Sequence, residues 1–200
     1  PNYVQEILIG VIIVLAVAIL PMLGIGGLQL YRAETPGAMK DSKLTPRVTE
    51  TARALWYLYV VLTVACALGF WWSGMNLFDA IGHSFATLSL GGFSTYDASI
   101  AHFNSAAIEL VAIVFMLLGG MNFGLHFVAW RRRNLRPYIA DGEVRFYFTV
   151  VTLASAAVFV GLLATGENSS ILLSLRQAAF ETVSVVTTTG FDVSHYAGWH

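Results

Sequence analysis

Four apolar stretches constrain what this chain can fold into. Ile7–Tyr31, Ala54–Phe78, Leu110–Trp130 and Phe146–Gly166 contain no Asp, Glu, Lys or Arg. A helix needs about 20 mostly apolar residues to cross a bilayer core, and each stretch reaches that length. As a soluble protein, a chain of 200 residues would have little polar surface left to cover four such helices. Composition agrees, with 56% hydrophobic and 12% charged residues, where soluble domains carry about 25% charged. The predicted class is therefore an all-α integral membrane protein. A net charge of −1 offers nucleic acid no basic field. Cys66, the single cysteine, lies inside an apolar run, which excludes an internal disulfide framework. The chain opens on Pro1 and stops after His200, and it reads as a piece of a longer protein.

The eleven basic residues give an orientation. Arg32, Lys40, Lys43, Arg47 and Arg53 lie between the first and second spans, and Arg131, Arg132, Arg133, Arg136 and Arg145 between the third and fourth. Only Arg176 lies elsewhere. Basic loops stay cytoplasmic, so the spans run inward, outward, inward and outward in turn. Trp71 and Trp72 then fall near the outer interface, and Tyr31, Trp56, Tyr57 and Trp130 near the inner one. Aromatic residues favour both belts. The Arg131–Arg133 run reads first as a topology anchor, and second as a contact for anionic lipid or a partner.

Two further segments are apolar but too short to cross: Asn76–Leu90 and Ser174–Thr187. Each follows an outward span and leads into a Gly-Phe loop, LGGFSTYD at Leu90–Asp97 and TTTGFD at Thr187–Asp192. After the first loop the chain enters span three from the same face, so the segment is expected to be re-entrant. Irregular backbone at membrane depth survives only against protein or a water-filled cavity, which points to a pore. A cation entering a low-dielectric region must replace its water, and backbone carbonyls can do so. Aiming them needs angles that glycine permits, which makes Gly91, Gly92 and Gly190 candidate filter glycines. Ser89 and Thr187, Thr188 and Thr189 could add hydroxyl oxygens. A short helix ending at the loop presents its negative dipole end to the ion. Neutral oxygen ligands suit a weakly hydrated monovalent cation.

Gly-Phe alone is a weak motif; its repetition in matching contexts carries the signal. Aligning Gly92-Phe93 with Gly190-Phe191 pairs Ala80 with Ala178 and His83 with Glu181. The order span, short helix, Gly-Phe loop occurs twice, and parallel repeats are known in transport folds. The predicted organisation follows. Residues 1–31 are the last helix of a preceding unit and 32–53 a cytoplasmic loop. A complete unit spans 54–130, with its short helix at 76–89 and filter at 89–94. A second cytoplasmic loop spans 131–145. The next unit begins over 146–200, with its short helix at 174–187 and filter at 187–191.

Four segments carry a family resemblance: the Val11–Gly27 helix and its continuation, HSFATLSLGGFSTYDASI at His83–Ile100, NFGLHF at Asn122–Phe127, and TVSVVTTTGFD at Thr182–Asp192. With these the chain resembles the membrane subunit of the Trk/Ktr potassium uptake family. The resemblance implies M1–P–M2 repeats, four to a full chain, around one pore with four non-identical filters. Gly92 and Gly190 would belong to the second and third. It implies filter residues Ser89, Leu90, Gly91, Gly92, Phe93, Thr187, Thr188, Thr189, Gly190 and Phe191, with potassium as the transported ion. It further implies a homodimer in a bacterial inner membrane, gated by a cytosolic TrkA-like nucleotide-binding ring. No cofactor is expected on this chain itself; the nucleotide belongs to the separate subunit.

His83, Glu181, Asp79 and Glu109 sit in or near the membrane, where ionisable residues mark function by default. Holding short helices to their neighbours is the plainer expectation for His83 and Glu181, and ion attraction the other. Asn122 and His126 share a helix face and are expected in a polar interhelical contact rather than a gate. Asp97 and Asp192 either concentrate cations or cap turns. The five histidines lack tight metal-ligand spacing. Competing readings are a Na⁺-dependent or H⁺-coupled symporter of the same fold, and an intramembrane hydrolase using His83 or His126 with a serine. No nucleophile or metal motif supports the hydrolase, and no enzymatic activity is expected.

Overall fold

A computed structural model describes residues 48–165 and 170–193. The first apolar stretch, most of the first basic loop, His195 and His200 lie outside the described residues. All regular structure among those described is helical: α1 (Val48–Trp72), α2 (Leu77–Leu88), a 3₁₀ helix (Ser99–Phe103), α3 (Ala106–Gly119), α4 (Phe123–Arg132), α5 (Arg136–Ala140), α6 (Gly142–Thr165) and α7 (Ile171–Val186).

Helix α1 is built inside-out relative to a soluble helix. Thr63, Cys66 and Phe70 are buried along one stripe, while Val61, Val64, Leu68, Trp71 and Trp72 are exposed. On α6 only Val144, Val151 and Leu162 are buried. These two helices are each long and apolar enough to cross a membrane, and the chain is a membrane protein. The short helices start alike. The Asn76 side chain accepts the Asp79 N–H at 2.8 Å to cap α2, and Ser170 Oγ accepts the Leu173 N–H at 3.2 Å to cap α7. Each satisfies a donor that the first helical turn leaves open. α2 packs on α1 and α7 on α6, while α3 lies between and touches both short helices. Ala80 and Ala178, paired in the sequence repeat, are both fully buried. Small side chains let membrane helices approach closely.

The third apolar stretch departs from expectation. It is not one straight span: α3 and α4 meet at 95° across Gly120–Asn122. The breaker is local chemistry. Gly119 and Gly120 weaken the helix interior, and Asn122 starts a new helix by accepting the Gly124 N–H at 2.9 Å. The carbonyl of Leu118 is recovered by His126, whose Nε2 donates to it at 2.9 Å, while His126 Nδ1 accepts the Tyr138 hydroxyl at 2.7 Å. Bonding to a carbonyl places a proton on Nε2.

Candidate functional site

Both short helices end in the same backbone device. After the Ser89 cap of α2, the Leu90 N–H bonds Thr87 O at 3.2 Å and the Gly91 N–H bonds Ala86 O at 2.8 Å. After the Thr187 cap of α7, the Thr188 N–H bonds Val185 O at 3.0 Å and the Thr189 N–H bonds Ser184 O at 2.9 Å. Such paired bonds close a helix on a left-handed residue just past the cap. That residue is Leu90 (φ 55°) in one loop and Thr188 (φ 61°) in the other. Side chains resist this region by about 1–2 kcal/mol, so both turns are strained at equivalent places. Two residues on, Gly92 (φ 63°) and Gly190 (φ 82°) are left-handed as well. The two loops therefore share a backbone path even where Gly91 faces Thr189 in the alignment.

The loops also lie side by side. A Cβ added at Gly92 would run into the Thr189 carbonyl and lie 3.1 Å from the Gly190 carbonyl carbon. The Asp192 carbonyl accepts the Ala101 N–H at 3.1 Å, and the Asp192 N–H is donated to Ser99 Oγ at 3.2 Å. The 3₁₀ helix after the first loop thus holds the strand that follows the second. Phe191 is buried, its ring 6.1 Å from that of His83, whereas Phe93 is exposed. The α3–α4 break sits against both loop starts. A Cβ at Gly119 would lie 3.2 Å from Leu88 O, and one at Gly120 would lie 3.3 Å from Thr187 Cγ2.

The ionisable residues singled out in sequence brace these loops. His83 is buried and donates Nδ1–H to Asp79 O at 2.8 Å; its Nε2 accepts the Ser94 hydroxyl at 2.9 Å. At the paired position in the repeat, Glu181 Oε1 accepts the Val193 N–H at 3.1 Å. Each tethers a short helix to the strand leaving its own loop. Asp79 is buried and accepts from the Thr95 hydroxyl (2.7 Å), the Tyr96 hydroxyl (2.9 Å) and Asn76 Nδ2 (2.6 Å). The bond to Asp79 holds the Tyr96 hydroxyl above its ordinary pKa. Glu109 on α3, almost fully buried, faces Arg176 Nε on α7 at 2.8 Å. The contact lies off the N–H direction, so Oε2 gains charge attraction without a proper hydrogen bond. This pair ties the two units together.

Of the predicted filter residues, Gly92, Thr189 and Gly190 meet at the loop contact, while Gly91 faces Ser89 and Phe93 of its own loop and Leu90 packs beside Gly119. Two of the threonine hydroxyls have internal partners. Thr187 Oγ1 donates to Val183 O at 2.7 Å and lies 2.7 Å from Thr189 Oγ1, while Thr188 is exposed. Asn122 and His126 act at the helix break. Sequence reasoning passed over Ser184, whose hydroxyl donates to Phe191 O at 2.6 Å, and the bracing residues Ser94, Thr95 and Tyr96. A cluster of small hydroxyl residues beside a Gly-Phe loop was the available signal.

A repeated unit of long apolar helix, short capped helix and left-handed loop, with the two loops in contact, defines an all-α membrane protein built from repeats. The chain belongs to the TrkH family of cation transport proteins, whose pattern matches residues 3–200. It is 55% identical over 188 residues to the Trk system potassium uptake protein TrkH of Halomonas elongata, covering 94% of this chain and 39% of the relative. It is 50% identical over 192 residues to TrkH of Escherichia coli K12. The crystal structure of the potassium transporter TrkH from Vibrio parahaemolyticus superposes with a TM-score of 0.75 at 44% identity, covering 96% of this chain and 38% of that one. The chain thus spans less than half the length of these relatives.

Proposed function

We propose that this chain forms two of the filter strands of a potassium uptake protein, with Leu90–Phe93 and Thr187–Phe191 coordinating the passing ion. The observation carrying the reading is the juxtaposition of two equivalent left-handed loops, each at the C-terminus of a short helix. Strained, repeated backbone is costly. Here it accompanies a close approach of the Gly92 backbone to the Thr189 and Gly190 carbonyls of the other unit, beside two negative helix ends that favour a cation. The names of the potassium uptake proteins this chain is similar to support potassium as the cargo. Ser89 and the threonines shape the turn, while His83, Glu181, Asp79 and Ser184 keep it rigid. A filter must discriminate by geometry, so this bracing is part of the function. The whole protein would sit as a homodimer in a bacterial inner membrane and be gated by a cytosolic nucleotide-binding ring.

The test is rubidium uptake into proteoliposomes by the full-length protein. Uptake driven by the potassium-type gradient alone is expected, inhibited by K⁺ and weakly by Na⁺. Uptake that requires an imposed Na⁺ or proton gradient would assign the same fold to a symporter. Absence of uptake with folded protein would reject the reading.

A further inference from the structure

The surface around the α4–α6 turn has a character that the filter does not use. Arg131, Arg132, Arg133, Arg136 and Arg145 are all exposed, and none makes an ion pair among the described residues. Beside them stand three large apolar side chains: Trp130 (62% exposed), Leu135 (71%) and Ile139 (73%). Leu135 caps α5 and Ile139 lies on it, four residues apart and so on one face.

The placement of this surface follows from the helix break. α3 has 14 residues and is about 21 Å long, short of a bilayer core of about 30 Å. At its end, Gly120 lies beside the Tyr147 hydroxyl, and Tyr147 is only about 8 Å along α6 from its start at Gly142. The break therefore lies close to the inner boundary. Turned by 95° from α3, α4 runs along that boundary instead of across it. A helix in the interface with arginines at one end and apolar side chains beside them matches a headgroup-level element.

We propose that the turn from Trp130 to Arg145 binds acidic phospholipid headgroups of the inner leaflet, its arginines on the phosphates and Leu135 and Ile139 among the acyl-chain ends. The assignment rests on the inward orientation of this loop. Guanidinium groups pair with phosphate through two parallel hydrogen bonds, and their planar fork is weakly hydrated. The charge selects anionic lipid over zwitterionic lipid. The apolar pair selects a lipid over free phosphate, which would gain nothing from Leu135 and Ile139.

Trp130 supplies a local reporter. Full-length protein is titrated with brominated phosphatidylglycerol or brominated phosphatidylcholine, and the fluorescence lost in Trp130→Phe is isolated by difference. Phosphatidylglycerol should quench Trp130 at a lower mole fraction than phosphatidylcholine. The triple variant Arg131→Gln, Arg132→Gln, Arg133→Gln should raise the phosphatidylglycerol midpoint by at least about tenfold, since each arginine near an anionic surface is worth about fivefold. Its phosphatidylcholine midpoint should not move. Leu135→Ser with Ile139→Ser should weaken quenching by both lipids. Equal midpoints for the two lipids in the wild type would overturn the proposal. So would full displacement by inorganic phosphate. A triple variant that loses a cytosolic partner protein but keeps its phosphatidylglycerol midpoint would assign the face to protein docking instead.

Discussion

Replacing Gly92 by alanine sets a Cβ against the Thr189 carbonyl of the neighbouring loop. Neither backbone can yield without disturbing a helix end, so the two loops must separate. Gly92→Ala in the full-length protein should lower thermal stability and reduce rubidium flux together. Gly161→Ala, where an added Cβ meets nothing within 4 Å, should change neither. Asp79 gives a second residue-scale outcome. Its carboxylate accepts three side-chain hydrogen bonds, and Asp79→Asn turns one acceptor into a donor facing donors. A cost of about 1–3 kcal/mol is expected, read as a drop in unfolding midpoint. The Tyr96 hydroxyl adds a pH dependence. Its folded pKa is raised by Asp79, so its contribution is present below the ordinary tyrosine value of about 10 and is lost as pH rises through the folded value. Tyr96→Phe should remove that alkaline step from a stability-versus-pH curve.

At the scale of elements, the helix break and the inter-unit pair carry the expectations. Tyr138→Phe removes the donor to His126 Nδ1 and leaves a buried ring nitrogen unpaired, at about 1–3 kcal/mol. Hydrogen exchange should then speed up in α4 and the following turn, and much less in α1. If α1 and α4 respond equally, His126 is not the clamp of the break. Arg176→Gln leaves the Glu109 carboxylate buried in α3 without its counter-charge. Loss of the pair should be partly restored by Glu109→Gln, since two neutral amides cost less than one unpaired charge. The short helices were legible from sequence because they are apolar, too short to cross and end at Gly-Phe loops, but the second begins at Ile171, capped by Ser170, three residues before the expected start at Ser174. The bend was not, because Gly119, Gly120 and Met121 score as apolar and hide a glycine pair followed by an N-capping Asn122. Left-handed Leu90 and Thr188 were hidden too. Nothing in a leucine or threonine announces positive φ, and only the paired helix-end bonds impose it.

Across the whole molecule, the repeat is the organising fact. Equivalent residues do equivalent work in the two units: Ala80 and Ala178 pack, His83 and Glu181 tether, and Gly92 and Gly190 turn. The chain meets its own next unit through Gly92 and Thr189, Ser99 and Asp192, and Glu109 and Arg176. In the proposed filter, a side chain at Gly190, where a Cβ meets nothing within 4 Å, adds only the left-handed penalty and should show in selectivity before folding. The left-handed penalty of about 1–2 kcal/mol is small against a total stability of about 5–15 kcal/mol. It is comparable to the 1.4 kcal/mol that separates two ions by about tenfold. The most direct test is rubidium uptake against competing Na⁺ in proteoliposomes, comparing full-length wild type with Gly190→Ser, and with Gly161→Ser as control. The filter assignment predicts inserted, dimeric Gly190→Ser protein whose preference for Rb⁺ over Na⁺ falls by about tenfold, while Gly161→Ser keeps wild-type preference. Wild-type preference and normal flux in Gly190→Ser would contradict it.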